Sequence, residues 1–443
     1  GSRVMWQTMD FWTDGRPGGV DDVQARVEDS PYGNYIGARA SALAARVLKA
    51  SRPEIARESL KIAREDWQFA EGKAKGHNVE LASEAVLASV ELYRATGERR
   101  YADRAAELAK VVVACQQQTY PGWDIPLTGF FYRDAGKRGI LNFFHRGHDQ
   151  APVVALVELC RALGNHADWM TWYAAVVLHS EYQRRTAALN RPYNTLCAGI
   201  YPLASDPKEV SLGVRLSDTH YLRRFPVVGD WRGHFGVLLS QTKALSAAAR
   251  LRGRSDLADL CHAQLQWVIG RNPFCQSAMC GEGYDFAPQY TPMCGDLVGS
   301  LPVGIQYRGG TDAPFWPASN CWVYKEVWVH SSSRWLWIMS DLSGPRRSSV
   351  PKGCDISVSQ ETRRDGSAVI RLKASGRGRH TFAIRAWNLD LPAAGREVTL
   401  KEGEPVEITW SGKVRSADRP WVAVVIPDGE LGGRKDVTGS ARH

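Results

Sequence analysis

Four stretches of the chain place apolar residues three and four positions apart, the spacing of amphipathic helices, and a turn signal breaks each stretch midway. IGARASALAARVLKASRPEIARESLKIAREDWQFA covers residues 36–70, with Pro53 placed to open its second helix. ASVELYRATGERRYADRAAELAKVVV (88–113) breaks at Thr96 and Gly97. ALVELCRALGNHADWMTWYAAVV (155–177) and ALSAAARLRGRSDLADLCHAQLQWVIG (244–270) repeat the theme. A lone helical hairpin cannot bury its own apolar face, so recurring hairpins imply a stacked or closed array. The spacing is uneven, with long loops over 120–150, 190–230 and 272–319. Loops of that kind favour a closed ring with a loop-built site over an even solenoid.

Beyond residue 342 the pattern changes. SGPRRSSVPKG (343–353) has the composition of a linker. Then DISVSQE, AVIRLKA, HTFAIRAW, REVTLKE, PVEITW and WVAVVIP alternate with period two between turn residues. This predicts a β-sandwich of about six or seven strands over 354–443. Its expected role is packing against the helical part, with weak carbohydrate binding as the other reading.

Composition sets outer limits. With 443 residues, 44% hydrophobic and 23% charged, the chain reads as a globular protein of two domains, or of one large toroid plus an appendage. No apolar run approaches the ~20 residues of a membrane span. The net charge of +9 comes from dispersed Lys and Arg without a basic stripe interleaved with aromatics, which argues against a nucleic-acid partner. Sixteen Trp supply either core volume or indole faces that stack on sugar rings. Of nine Cys, Cys115, Cys160 and Cys261 fall in helical patterns as small apolar residues, while Cys275 and Cys280 flank a loop and are placed to pair. No spacing of Cys or His indicates zinc.

The richest chemistry lies in LQWVIGRNPFCQSAMCGEG (265–283) followed by WPASNCWVYKEVWVHSSSRW (316–335). Glu326 is the lone acid of the second stretch, among rings and amides, expected on the approach to a helix. A partly desolvated carboxyl has a raised pKa and suits proton donation, and aromatic clefts with carboxylic acids are most often sugar sites. The bland alternative is a buried acid paired with Lys325 or Arg334. FFHRGHDQAP (143–152) groups His145, Arg146, His148 and Asp149 before a helix. Recognition of sugar hydroxyls or carboxylates, an N-cap role for Asp149 and a surface loop are the competing readings. Trp123, in an aromatic loop, is a sugar platform or a packing residue. His77, Asn78 and Glu80 read as a helix cap.

With the hairpins, loop and acid in place, the chain resembles the family 9 glycoside hydrolases over about residues 6–342, on the following motifs. QWVIGRNPFCQSAMCGEG is similar to that family's Asn-Pro…Ser…Gly-x-Gly segment, and DWRGHFGVLLSQTKALSAAA (230–249) to the helix before it. Phe315, Trp322 and Glu326 fit its closing signature, in which the Glu is the general acid of an inverting hydrolysis. The resemblance implies an (α/α)6 toroid over 1–342 acting on a polysaccharide or oligosaccharide. It places Trp231, Tyr284, Asp285, Trp316, Trp322, Tyr324 and His330 along the substrate cleft. It calls for no cofactor, leaves a structural calcium open, and points to a secreted or periplasmic location. Three features depart from the family. YDFAPQYTPMCGD lacks its Pro-His-x-Arg clamp; Pro317, Trp328 and Ser332 replace usual residues of the closing signature; and the Gly-Gly-Trp-x-Asp-Ala-Gly-Asp block carrying the general base has no counterpart. About nine or ten helices are legible where a full toroid has twelve, so the base is expected in a preceding segment, or else at Asp21, Asp22 or an unrecognised acid. Two alternatives stay open: a lyase on a uronate polymer using His145, Arg146 and His148, or a carbohydrate-binding toroid without activity.

Overall fold

The computed structural model describes residues 29–142, 147–203, 213–224, 233–290, 297–307, 313–344, 353–392 and 395–441. Each predicted hairpin is a pair of packed helices: α1 (Pro31–Leu48) with α2 (Pro53–Lys73), α3 (Val79–Thr96) with α4 (Arg99–Ala114), α5 (Gln150–Ala162) with α6 (Trp169–Ala187), and α7 (Phe235–Arg252) with α8 (Ser255–Val268). A four-residue helix, α9 (Trp322–Lys325), precedes α10 (Val329–Ser343). The local signals act as expected. Pro31 and Pro53 sit in first turns, where a missing N–H leaves no bond unmade. Asn78 Oδ1 accepts from the Leu81 amide at 2.9 Å and caps α3. Gly97, at φ 75°, ends α3 in the left-handed conformation that glycine adopts without strain.

Helices α1, α3, α5, α7 and α10 follow one another in contact, each against the next, and α2, α4, α6 and α8 each pack against the helix before them. Burial differs with sequence texture. Helix α7, FGVLLSQTKALSAAARLR, is small or apolar nearly all round and is buried along almost its whole length. Helix α2 buries only Ala56, Ala63 and Ala70, a single stripe on a charged helix. Two of the long loops carry short strands that the sequence pattern did not announce. β1 (Gly199–Pro202), β2 (Val214–Arg215) and β3 (His220–Arg223) form a sheet of order β1-β3-β2, and β4 (Gln306–Tyr307) pairs with β5 (Pro314–Phe315).

The C-terminal part forms two antiparallel four-stranded sheets. One has the order β6 (Cys354–Thr362), β7 (Ser367–Gly376), β11 (Val406–Val414), β9 (Leu389–Asp390). The other runs β10 (Arg396–Leu400), β8 (Gly378–Trp387), β12 (Trp421–Pro427), β13 (Lys435–Gly439). The six patterned runs are all strands; β9 and β13 are additional, too short or too polar to show a period. Ile370, Leu372 and Trp410 of the first sheet share a core with Phe382, Trp421, Ala423 and Val425 of the second. In β12, Val422, Val424 and Ile426 turn the other way and join Trp169, Trp172 and Tyr173 in the helical core. A strand buried on both faces reads as one continuous apolar run, which is what WVAVVIP is. The contact is pinned by Arg252, whose Nε and Nη2 donate to Asp436 at 2.8 and 3.0 Å with both side chains fully buried. Most of the expected linker, residues 345–352, lies outside the described residues.

Candidate active site

Residues from the N-terminal halves of five helices meet in one region. Tyr32, in the first turn of α1, meets the His148 ring edge-on at 6.0 Å. Arg334 of α10 donates through Nη2 to the Gly147 carbonyl at 2.6 Å. Gly147 lies so near α7 that a Cβ there would stand 2.7 Å from the Gly236 carbonyl oxygen, so glycine is required for this approach. The first amide of α5, on Gln150, donates to Ser240 Oγ of α7 at 3.3 Å. From α3, the charges of Glu84 and Glu80 act on the Tyr32 phenol, and Glu84 pairs with Arg39 of α1 at 3.6 Å.

Burial sets the electrostatics of this cluster. Desolvation pushes the Asp149 carboxyl up to about 7, against the pull of Arg334 and neighbouring hydrogen bonds. It also raises Glu84 and Glu80, each opposed by a nearby arginine. His148 is pushed down to about 4, by burial first and then by Arg334 and His330. At neutral pH it is therefore an uncharged imidazole, able to donate through one nitrogen and accept through the other. Asp149 occupies the N-cap position of α5 but makes no side-chain cap bond. Its Oδ2, Arg334 Nε and Ser331 Oγ are buried without a hydrogen-bond partner among the described residues. Buried polar groups left unmatched by protein mark places where water or a ligand is held.

Glu326 reaches the same region by a different route. It is not on a helix: it follows α9 in extended conformation, φ −60° and ψ 132°, on the short connection to α10. Backbone bonds fix it on both sides. The Val303 amide donates to the Glu326 carbonyl at 2.9 Å, Trp328 N donates to Leu301 O at 2.9 Å, and Tyr290 N donates to Lys325 O at 2.9 Å. Residues 303–305 are held in turn by the start of α7, where the amides of His234 and Phe235 donate to Ile305 O and Val303 O at 3.1 and 3.0 Å. The Glu326 side chain is half-buried, and its Oε2 accepts from Trp328 Nε1 at 2.9 Å. Trp328 lies 5.3 Å from His330, the residue whose charge acts on His148. The pairing with Lys325 or Arg334 does not form, for a geometric reason. Lys325 Nζ donates to Ala318 O at 3.0 Å beside the Trp316 ring, and Arg334 is spent on backbone carbonyls.

The remaining predicted residues separate into groups. Gln276 ties two of them together, donating to Asp285 Oδ1 at 2.8 Å and accepting from Trp316 Nε1 at 2.7 Å. Trp316 meets Tyr324 edge-on, and the Tyr324 hydroxyl bonds Ser319 at 2.5 Å. The rings of Tyr284 and Trp322 are exposed. Trp123 stacks on Phe130 and His220 at 5.8 and 4.8 Å, in the small cluster under the β1-β3-β2 sheet. Asp21, Asp22, His145, Arg146 and Trp231 lie outside the described residues. Cys275 is a free, exposed thiol, so the bond to Cys280 does not form. Sequence reasoning overlooked Tyr32, Ser240 and Glu84. Only Glu84 left a trace, as an acid in the middle of the apolar run ASEAVLASV.

Buried carboxylates and a neutral His thus meet where several helices begin. The sequence profile of Glycosyl hydrolase family 9 matches residues 25–291, more than half of the chain, and the chain belongs to that family. The matched range ends before Glu326. Among solved structures, the cellulase Cel9M of C. cellulolyticum shares 14% identity over 71% of this chain and 64% of its own, with a TM-score of 0.46. A metagenome-derived glycoside hydrolase family 9 endoglucanase shares 16% over 72% and 53%, with a TM-score of 0.49. Endoglucanase CelQ from Clostridium thermocellum, solved with cellobiose and cellotriose, shares 13% over 89% and 68%, with a TM-score of 0.45. The chain thus spans less than two thirds of the Cel9M structure. No curated protein matches it.

Proposed function

We propose that this chain is a glycoside hydrolase acting on a polysaccharide or oligosaccharide, with inversion at the anomeric carbon and Glu326 as general acid. Family membership supports the reaction class. The observation that carries the assignment is the half-buried Glu326 carboxyl, oriented by Trp328 Nε1 and unpaired with any cation among the described residues. A proton donor needs that freedom: a fixed direction, access to the leaving oxygen, and no permanent counter-ion. Asp285, Trp316, Tyr324, His148 and His330 supply sugar contacts in this reading, with the exposed rings of Tyr284 and Trp322 as stacking faces. An inverting enzyme also needs a carboxylate roughly 6.5–9.5 Å from the acid to activate water. Asp21 and Asp22 are the sequence's candidates, since they shortly precede Tyr32, which stands at the site. The helices would form an α/α toroid over residues 1–342. Residues 343–353 would link it to a β-sandwich over 354–443 that braces it through β12, in a protein that works outside the cytoplasm.

Incubation with β-glucans, glucosaminoglycans and uronate polymers tests the reading. Reducing ends appear with the unmodified chain and fall at least ~10²-fold with Glu326→Gln. Reducing ends that survive Glu326→Gln, or an ultraviolet-absorbing unsaturated uronate as product, refute it.

A further inference from the structure

A cavity of about 370 Å³ opens between α4, α6 and the connection from β11 to β12, on the seam where helices and sheets meet. Its volume falls in the range of sites that hold small molecules, and domain seams are where such sites concentrate.

Charge distinguishes this cavity. Lys110 comes from α4, Lys137 from the 120–150 loop and Arg419 from the strand connection, and they converge against a single lining carboxylate, Asp168. Lys110 has no ion pair among the described residues. Among the described residues Lys137 Nζ reaches the neutral Gln117 Oε1, at 3.3 Å, and the face of Tyr132. Arg419 touches Asp418 at 3.3 Å, outside the lining. Three cations from three separate elements repel one another, and an anion between them would relieve that repulsion. The turn that presents Lys137 holds it at φ 57°, a left-handed conformation uncommon for a non-glycine residue.

The neutral lining adds a second requirement. Gln118, Thr119 and Thr171 bring an amide and two hydroxyls to the same wall. They serve a ligand with hydroxyl groups of its own better than a bare inorganic ion. We propose that this cavity binds a sugar acid, a uronate residue whose carboxylate sits among Lys110, Lys137 and Arg419 while its hydroxyls meet the amide and threonines. The site is separate from Glu326 and does not depend on the role assigned to that residue.

Titration calorimetry at low ionic strength with free glucuronate tests this on the intact chain. Binding is expected on the order of millimolar, since the cations are solvated, and it weakens as salt is added. Lys110→Gln with Lys137→Gln lowers affinity by roughly tenfold or more, and Glu326→Gln leaves it unchanged. Both lysines are exposed, so the double variant keeps its fold, checked by an unchanged thermal midpoint. Glucose is expected not to bind, and inorganic phosphate to bind more weakly than glucuronate. The proposal is overturned by absent glucuronate binding or by equal binding in the double variant. Equal binding of glucose, or phosphate binding as tight as glucuronate, overturns it as well.

Discussion

Asp436→Ala removes the charge on which the helical part and the sheets meet. In the native chain the Asp436 carboxylate is fully buried and accepts three bonds: Arg252 Nε at 2.8 Å, Arg252 Nη2 at 3.0 Å and the Tyr173 hydroxyl at 2.7 Å. Truncation leaves the Tyr173 hydroxyl without its acceptor. Arg252, with no exposed side-chain surface, keeps only Glu181 at 2.9 Å and Ser180 at 2.8 Å. Breaking a buried pair by removing one partner costs about 3–5 kcal/mol. The surviving Glu181 contact argues for the lower half of that range. An unfolding entropy of about 2.1 cal/mol/K per residue gives roughly 0.9 kcal/mol/K for the whole chain, so Tm drops by about 3–4 °C if the chain melts as one unit. If the seam gives way first, calorimetry shows two transitions in place of one. The native contribution also depends on pH. Burial alone would raise the Asp436 carboxyl, but Arg252 overcomes this and holds it below the usual range. Its stabilisation is therefore complete above the unfolded carboxylate pKa of about 3.9 and is lost as pH falls through the depressed folded value. The variant should lack that acid-side loss. A Tm within about 1 °C of the native chain at pH 7, together with an unaltered acid limb, refutes the reasoning.

Two further outcomes can be checked alongside the tests of Glu326 and of the cationic cavity. Gly304→Ala places a Cβ 2.5 Å from Phe235 Cγ at a backbone φ of 116°, in the segment that holds Glu326 against α7. Overpacking and backbone strain together cost on the order of 2–4 kcal/mol, so thermal melting drops and reducing-end release falls with it; an unshifted melting curve argues against the described packing. His380 is raised above its ordinary value, chiefly by its bond to Asp428 at 2.8 Å. Its stabilisation is complete below the unfolded pKa of about 6.5 and disappears as pH rises through the folded value, a slope that His380→Gln should flatten in urea titrations across that range.

The local signals in the sequence were sufficient for local structure. Four hairpins follow from apolar spacing with Pro53, Gly97 and Asn78 as punctuation, because helix starts and stops depend on a few neighbouring residues. The six patterned strands likewise appear where period two places them. Glu326 stood out because an isolated acid among tryptophans is visible without any fold. Its setting was not visible. The backbone ladder from 290 and 301–305 and the grip of Trp328 join segments that no local pattern relates. Helix α3 showed the acid at Glu84, but nothing in its neighbourhood says that Tyr32, Arg39 and Arg334 surround it. The division of β12 between two cores and the pairing of Arg252 with Asp436 belong to the same class. The sequence alone determined the four hairpins, the six patterned strands and which acid to suspect, since those follow from residues within a turn or two. Which charges are desolvated, which are paired and which meet across a seam was decided by tertiary packing, because burial and partnership arise only when distant segments come together.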